Sequence, residues 1–118
     1  FYKTPTSVIG PVDTIIRLKG TKKLDAEAEL VVIMKDSCRN VSKEDAMQHV
    51  RGYTCGNDVS ARDLQERDGQ WVRAKSLDSF GPMGTAVVTA DEIAGMGVGG
   101  LLKEIPTRPQ PRSGAAPS

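Results

Sequence analysis

The sequence predicts a mainly β fold with one or two short helices. Three observations carry that reading: Asp25 to Met34 alternates with strand periodicity, Gly and Pro break the remaining apolar segments into short runs, and strand candidates outnumber helix-start signals. The opening FYKTPTSVIGP reads as extended chain broken by a turn, since Pro5 removes a backbone donor and Gly10-Pro11 bends the chain. Asp13 to Leu18 is predicted as a short strand and Lys19 to Lys23 as a polar turn. Along Asp25 to Met34 the side chains of Glu27, Glu29, Val31 and Ile33 share one face, and those of Ala26, Ala28, Leu30, Val32 and Met34 share the other. The second half is apolar on both faces, which predicts burial.

Ser42-Lys43-Glu44-Asp45 resembles a capping box, and Ala46, Met47 and Val50 supply a narrow apolar stripe, so a short helix is predicted over Lys43 to Val50 with Gly52 ending it. Gly52 to Gly56 leads into Asn57 to Asp63 as a strand followed by a turn or a helical start. Trp71-Val72 and Thr85 to Thr89 are further strand candidates, separated by a Gly81-Pro82 turn. From Gly95 the composition shifts to glycine and proline with little that packs, which predicts a disordered tail. The organisation is therefore one small domain over residues 1–94 and a tail over residues 95–118.

Sixteen basic against fifteen acidic residues leave a net charge of +1 with no basic stripe, which argues against a nucleic-acid partner. No apolar run approaches the roughly 18 residues of a membrane helix, and the first residues lack the organisation of a secretion signal, so no membrane role is expected. Cys38 and Cys55 have no metal-ligand spacing and are read as reduced. Gly95 to Gly100 satisfies G-x-G-x-x-G in form only, since it follows no clear strand and opens no sustained helix. No arrangement for a covalent nucleophile is present. His49, the single histidine, reads as a surface or helix-packing residue.

Glu27 and Glu29 precede a buried apolar run on one strand face, where desolvation costs several kcal/mol per carboxylate unless a cation or a partner compensates. The alternative from spacing alone is a solvated first half of the strand, and spacing alone does not bring Asp58 to the pair.

DAEAELVVIM, GYTCGNDVSARDLQ and GQWVRAKSLDSFGPMGTAVVTADEI occur in that order, preceded by FYKTPTSVIGP. Together these segments resemble the successive signatures of the fumarylacetoacetate hydrolase family over about residues 1–93. The resemblance implies a partial mixed β-sandwich or roll of that type, truncated at both ends, with the lid region and the C-terminal half of the catalytic domain missing. It also implies that Glu27, Glu29 and Asp58 bind Mg²⁺, or Mn²⁺ or Ca²⁺, as hard oxygen ligands suit those ions. In such enzymes the cation chelates an acylpyruvate- or oxaloacetate-like β-dicarbonyl acid and stabilises the enolate of C–C hydrolysis, decarboxylation or tautomerisation. Arg62, Gln65 and Lys75 match the substrate-side residues, with Lys75 also catalytic through stabilisation of oxyanion charge.

Ala26 departs from the family pattern, where many relatives carry an aromatic residue, and the histidine and glutamate of the family's lid have no counterpart here. The expected partners are a small oxo-acid substrate and a second copy of the chain, since unpaired strand edges invite association. The expected compartment is the cytoplasm or the mitochondrion. The alternative functions are a catalytically impaired fragment that binds metal and self-associates, and an interaction module using the Pro106 to Arg112 tail segment.

Overall fold

A computed structural model describes residues 1–96. Seven strands are present among these residues: β1 (Val8–Ile9), β2 (Leu24–Asp25), β3 (Ala28–Met34), β4 (Val50–Asn57), β5 (Ser60–Ala61), β6 (Gly81–Pro82) and β7 (Val88–Thr89). Three short α-helices accompany them, α1 (Arg62–Asp68), α2 (Trp71–Lys75) and α3 (Ala90–Met96), together with 3-10 turns at Pro5–Ser7 and Ala46–His49. The class is a mixture of strands, in sheets of two and three, with short helices, consistent with the strands and short helices that the sequence predicts. No helix among the described residues is long and apolar enough to cross a membrane.

The central feature is the β3–β4 hairpin, antiparallel from Ala28↔Asn57 to Met34↔Val50, with β7 added antiparallel to β4 and a bulge between Ile33 and Met34. Beyond it β2 pairs antiparallel with β5, at Leu24↔Ala61 and Asp25↔Ser60. The two ladders share one register. Asp25↔Ser60 on one side and Ala28↔Asn57 on the other leave two residues between them on each strand, so Glu27 stands opposite Asp58. The single strand predicted over Asp25 to Met34 is therefore interrupted only at Ala26-Glu27. There the Glu27 carbonyl accepts the Asp58 N–H at 2.9 Å and the Glu27 N–H donates to Asn57 Oδ1 at 3.0 Å. A side-chain amide replaces one rung of the ladder.

The core lies under α1 and α2. Val59, Ala61, Leu64, Ala74 and Phe80 are buried together, with Leu24 and Leu77 against them. Gly69 ends α1 at φ 67°, a left-handed conformation that glycine adopts without a Cβ clash, and Arg73 of α2 reaches back to Asp68 at 2.6 Å. This tight turn folds α2 against α1 and aims its last residue, Lys75, inward.

Several local expectations give way to tertiary contacts. Trp71-Val72 opens α2 rather than forming a strand. Gly81-Pro82 is not a turn but β6, which pairs parallel with β1 at Val8↔Gly81 and Ile9↔Pro82. A Cβ on Gly81 would sit 3.2 Å from the Ser7 carbonyl oxygen, so the small residue serves close backbone approach. Asp13 to Leu18 is exposed and forms no strand. The Ser42 hydroxyl accepts the Asp45 N–H at 3.1 Å as a cap does, yet only the 3-10 turn Ala46–His49 follows, and β4 begins at Val50 with Gly52 inside it. His49 Nδ1 pairs with Asp36 Oδ1 at 2.5 Å.

Met34, Val32 and Leu30 are 50%, 46% and 51% exposed, which corrects the expectation that the second half of β3 is buried on both faces. Both cysteines are free. The stretch from Gly95 begins within α3, and residues 97–118, including most of the tail segment, lie outside the described residues.

Gly52 is the position where the sheet is least tolerant. A Cβ there would lie 2.3 Å from the Val88 carbonyl oxygen and 3.0 Å from Val87 Cγ1. Gly52→Ala is expected to push β7 off β4 and lower stability by about 1–3 kcal/mol in urea unfolding. Parental stability in that variant would show that β7 contributes no pairing.

Candidate metal and substrate site

The site forms where the β2/β3 interruption faces the β4–β5 junction. In an antiparallel ladder, directly opposed residues point to the same face, so the Glu27 and Asp58 carboxylates converge, and Glu29, two residues on, joins them. One oxygen from each of Glu27, Glu29 and Asp58 can be chosen so that all lie within 4.8 Å of one another. Glu29 is exposed, Glu27 is half-buried and Asp58 is buried.

Cationic side chains brace two of these acids. Lys75, 2% exposed, donates from Nζ to Asp58 Oδ2 at 2.5 Å, Ser60 Oγ at 2.7 Å and Glu27 Oε2 at 3.1 Å. Phe1 places its ring 4.5 Å from the same ammonium, and the Phe1 and Trp71 rings are 6.1 Å apart. Lys3 pairs with Asp58 Oδ1. Arg62, the first residue of α1, donates to Asp25 Oδ2 at 2.8 Å, to Gln65 Oε1 at 2.9 Å and to Glu27 Oε1. Ser60 Oγ donates to the Asp58 carbonyl at 3.1 Å and lies 3.3 Å from Glu27 Oε1.

Electrostatics follow from this arrangement. Burial pushes the Glu27 carboxyl up, but hydrogen bonds from Lys75 and then Arg62 outweigh it and hold the group below its ordinary 4.5. Burial likewise raises Asp58, and hydrogen bonds from Lys3 and Lys75 outweigh it, holding the group below 3.8. The Arg62 guanidinium is raised, chiefly by its hydrogen bond to Asp25. Both site carboxylates are thus ionised at neutral pH, which is the form that binds metal.

The donor set fits a hard divalent cation. Ligands on opposite sides of Ca²⁺ stand about 5 Å apart and those of Mg²⁺ about 4 Å apart. Three carboxylate oxygens within 4.8 Å of one another are close enough together to meet one such ion. Beside them opens a cleft of about 170 Å³ whose walls include Lys3, Val8, Glu29, Asp58, Pro82 and Met83.

Every residue singled out from the sequence lies in this neighbourhood. Glu27, Glu29 and Asp58 cluster, Lys75 touches two of them, and Arg62 bridges Glu27 to Gln65. The Arg62 fork and the Lys75 ammonium are both occupied by the chain's own acids. Sequence reasoning missed Lys3, Asp25, Asn57 and Ser60. Asn57 and Ser60 flank Asp58 within one short polar segment, a signal that was available, whereas nothing near Lys3 announces a contact 55 residues away.

Comparison with known proteins places these residues in context. Residues 1–102 match the family model described as Fumarylacetoacetate (FAA) hydrolase C-terminal. A mitochondrial oxaloacetate tautomerase of Rattus norvegicus, Fahd2a, is 42% identical over 95 residues, 80% of this chain and 30% of the relative. The structure of a fumarylacetoacetate hydrolase from psychrophilic Exiguobacterium antarcticum superposes with a TM-score of 0.75 at 47% identity, covering 77% of this chain and 33% of that one. A 5-carboxymethyl-2-hydroxymuconate delta-isomerase from Mycobacterium smegmatis gives a TM-score of 0.74 at 42% identity, over 76% of this chain and 36% of that one. The chain spans between 30% and 39% of the length of the curated relatives it matches.

Asp58→Asn leaves two ammoniums facing one carboxylate fewer, with Lys75 and Asp58 each only 2% exposed. Its expected cost is about 3–5 kcal/mol, the usual penalty for breaking a buried pair, read by chemical denaturation. The folded pKa values of Glu27 and Asp58 are depressed, so their contribution is present above the unfolded values of 4.5 and 3.8 and disappears as pH falls through the folded ones. Stability measured downward from about pH 5 should fall in the parent and fall less steeply in Asp58→Asn. Equal slopes would mean that Asp58 is not the acid-sensitive group.

Proposed function

The chain belongs to the fumarylacetoacetate hydrolase family, and from that membership we propose that Glu27, Glu29 and Asp58 hold one divalent cation, Mg²⁺ first and Mn²⁺ or Ca²⁺ as alternatives, in a site acting on small oxo-acids. The substrate class is an acylpyruvate- or oxaloacetate-like β-dicarbonyl acid, and the reaction is C–C hydrolysis, decarboxylation or tautomerisation. The single observation carrying this reading is the convergence of three carboxylate oxygens within 4.8 Å beside a cleft. When bound, the cation supplies Lewis-acid polarisation of a carbonyl.

The remaining chemistry belongs to the chain's own groups. Lys75 is the ammonium that touches two of the converging carboxylates, and its charge stabilises oxyanion character developing on a carbonyl oxygen placed there. Arg62 and Gln65 form a hydrogen-bonded pair at one side, suited to a substrate carboxylate and carbonyl once Arg62 exchanges an internal partner for the ligand. The cleft, at about 170 Å³, is smaller than the roughly 300 Å³ at which pockets for drug-sized ligands begin, which favours an acid of few heavy atoms.

The exposed Leu30, Val32 and Met34 side chains favour a second role beside this one. Among the described residues β3 has only β4 as a sheet neighbour and its other edge carries no strand, and that edge together with its apolar face suits association with a second copy of the chain.

Calorimetric titration with Mg²⁺ and Mn²⁺ tests the cation site. Binding is expected in the parent and its loss in Glu27→Ala/Glu29→Ala. Oxaloacetate and acylpyruvate turnover in the same samples separates an active site from one that only binds, and absence of binding by the parent would sink the reading. Light scattering should report a dimer or larger species that Val32→Lys returns to monomer.

A further inference from the structure

Lys3 carries no signal of function in the sequence, yet its ammonium is the most completely anchored cation at the cleft after Lys75. An ammonium has three N–H donors and no acceptor. Three oxygens meet it here: Asp58 Oδ1, the Lys75 main-chain carbonyl and, at 3.4 Å, the Val59 carbonyl. The side chain is 21% exposed, against the freely hydrated head group usual for lysine.

The backbone around Lys3 is fixed independently. Thr4 N–H donates to Ser76 Oγ at 3.1 Å, the Ser7 N–H donates to the Thr4 carbonyl at 3.0 Å, and β1 then pairs with β6. The amine is thus delivered by a pinned segment and not by a loose terminus.

Lys3 and Lys75 divide the Asp58 carboxylate between them, Lys3 on Oδ1 and Lys75 on Oδ2. Their other partners differ. Lys75 Nζ also binds Glu27 Oε2, a ligand-group oxygen, and therefore competes with any cation that gathers Glu27 and Asp58. Lys3 adds two main-chain carbonyls, which have no reason to move when a cation arrives.

We infer that Lys3 is a positioning residue of the cation site: it holds Asp58 through Oδ1 so that Oδ2 faces the cation, and it keeps that grip while the cation displaces Lys75 from Oδ2. This rests on the cation site proposed above. Two effects of the Lys3 charge oppose each other. Repulsion of the cation would make removal of the amine tighten binding, whereas orientation of Asp58 would make removal weaken it. The amine is partly solvated and already paired with Asp58, which screens the repulsion, so orientation prevails.

The test is Mn²⁺ titration at fixed ionic strength, with free Mn²⁺ read by electron paramagnetic resonance, on the parent, Lys3→Met and a Lys22→Met charge control at an exposed position. Lys3→Met is expected to bind Mn²⁺ about 10–100-fold more weakly, the range typical for groups that orient metal ligands, with Lys22→Met close to the parent. Affinity unchanged or increased in a folded Lys3→Met overturns the inference while leaving the cation site standing. A parent that binds no Mn²⁺ overturns both. Should Lys3→Met not fold, ¹⁵N spectra of the lysine ammoniums in the unaltered chain decide. Addition of Mg²⁺ is then expected to shift the Lys75 signal and preserve that of Lys3, and loss of the Lys3 signal would refute the inference.

Discussion

Lys75 brings a positive charge to a place that water barely reaches, and the surrounding structure is organised to neutralise it. Its ammonium meets Asp58 Oδ2, Ser60 Oγ and Glu27 Oε2, groups supplied by the β4–β5 junction and by the break between β2 and β3. A buried ammonium without partners would cost several kcal/mol or lose its proton. Three segments separated in sequence are therefore held at one point, and α2, which ends in Lys75, is held there as well. The packed cluster of Val59, Ala61, Leu64, Ala74 and Phe80 includes the chain neighbours of Asp58, Ser60 and Lys75.

In the cation site proposed above, the same carboxylates would serve two kinds of cation. Lys3, Lys75 and Arg62 balance Glu27 and Asp58 within the chain, which keeps the acids ionised and oriented. A divalent ion entering the group would replace part of this internal pairing, and the exposed Glu29 would add a third charge. In the proposed site, metal and substrate residues would be coupled through this exchange, because each carboxylate oxygen taken by the ion would release a donor for a ligand. Arg62 is paired with Glu27 and Lys75 with Glu27 and Asp58, so an ion taking those carboxylates would release them in that way.

What was legible in the sequence depended on how local the cause was. Alternation along Asp25 to Met34 is a property of the backbone, and the strand exists as read apart from two residues. The helical start after Asp58 is equally local, and α1 begins at Arg62. Trp71 failed because an aromatic residue favours strands on average, while here Gly69 and the Arg73 to Asp68 pairing turn the segment into α2. Gly81-Pro82 failed because its turn chemistry is also compatible with a two-residue pairing to β1, a partner more than seventy residues away in the chain. Gly52 reads locally as a helix stop, whereas its small size admits β7 against β4.

For the site, the sequence by itself determined the chemistry of the parts: two glutamates one strand repeat apart and an aspartate in a polar segment, with a lysine, an arginine and a glutamine singled out through the family resemblance alone. Residue identity and strand periodicity are local, and they suffice to put Glu27 and Glu29 on one face. Only the tertiary structure decided that Asp58 stands opposite Glu27, because that needs the β2–β5 and β3–β4 ladders to keep one register across a break. It also decided that Lys3 reaches Asp58 and that Lys75 is buried, because both depend on segments distant in sequence packing against one core, where the partners of a charge are set by the fold and not by its neighbours in the chain.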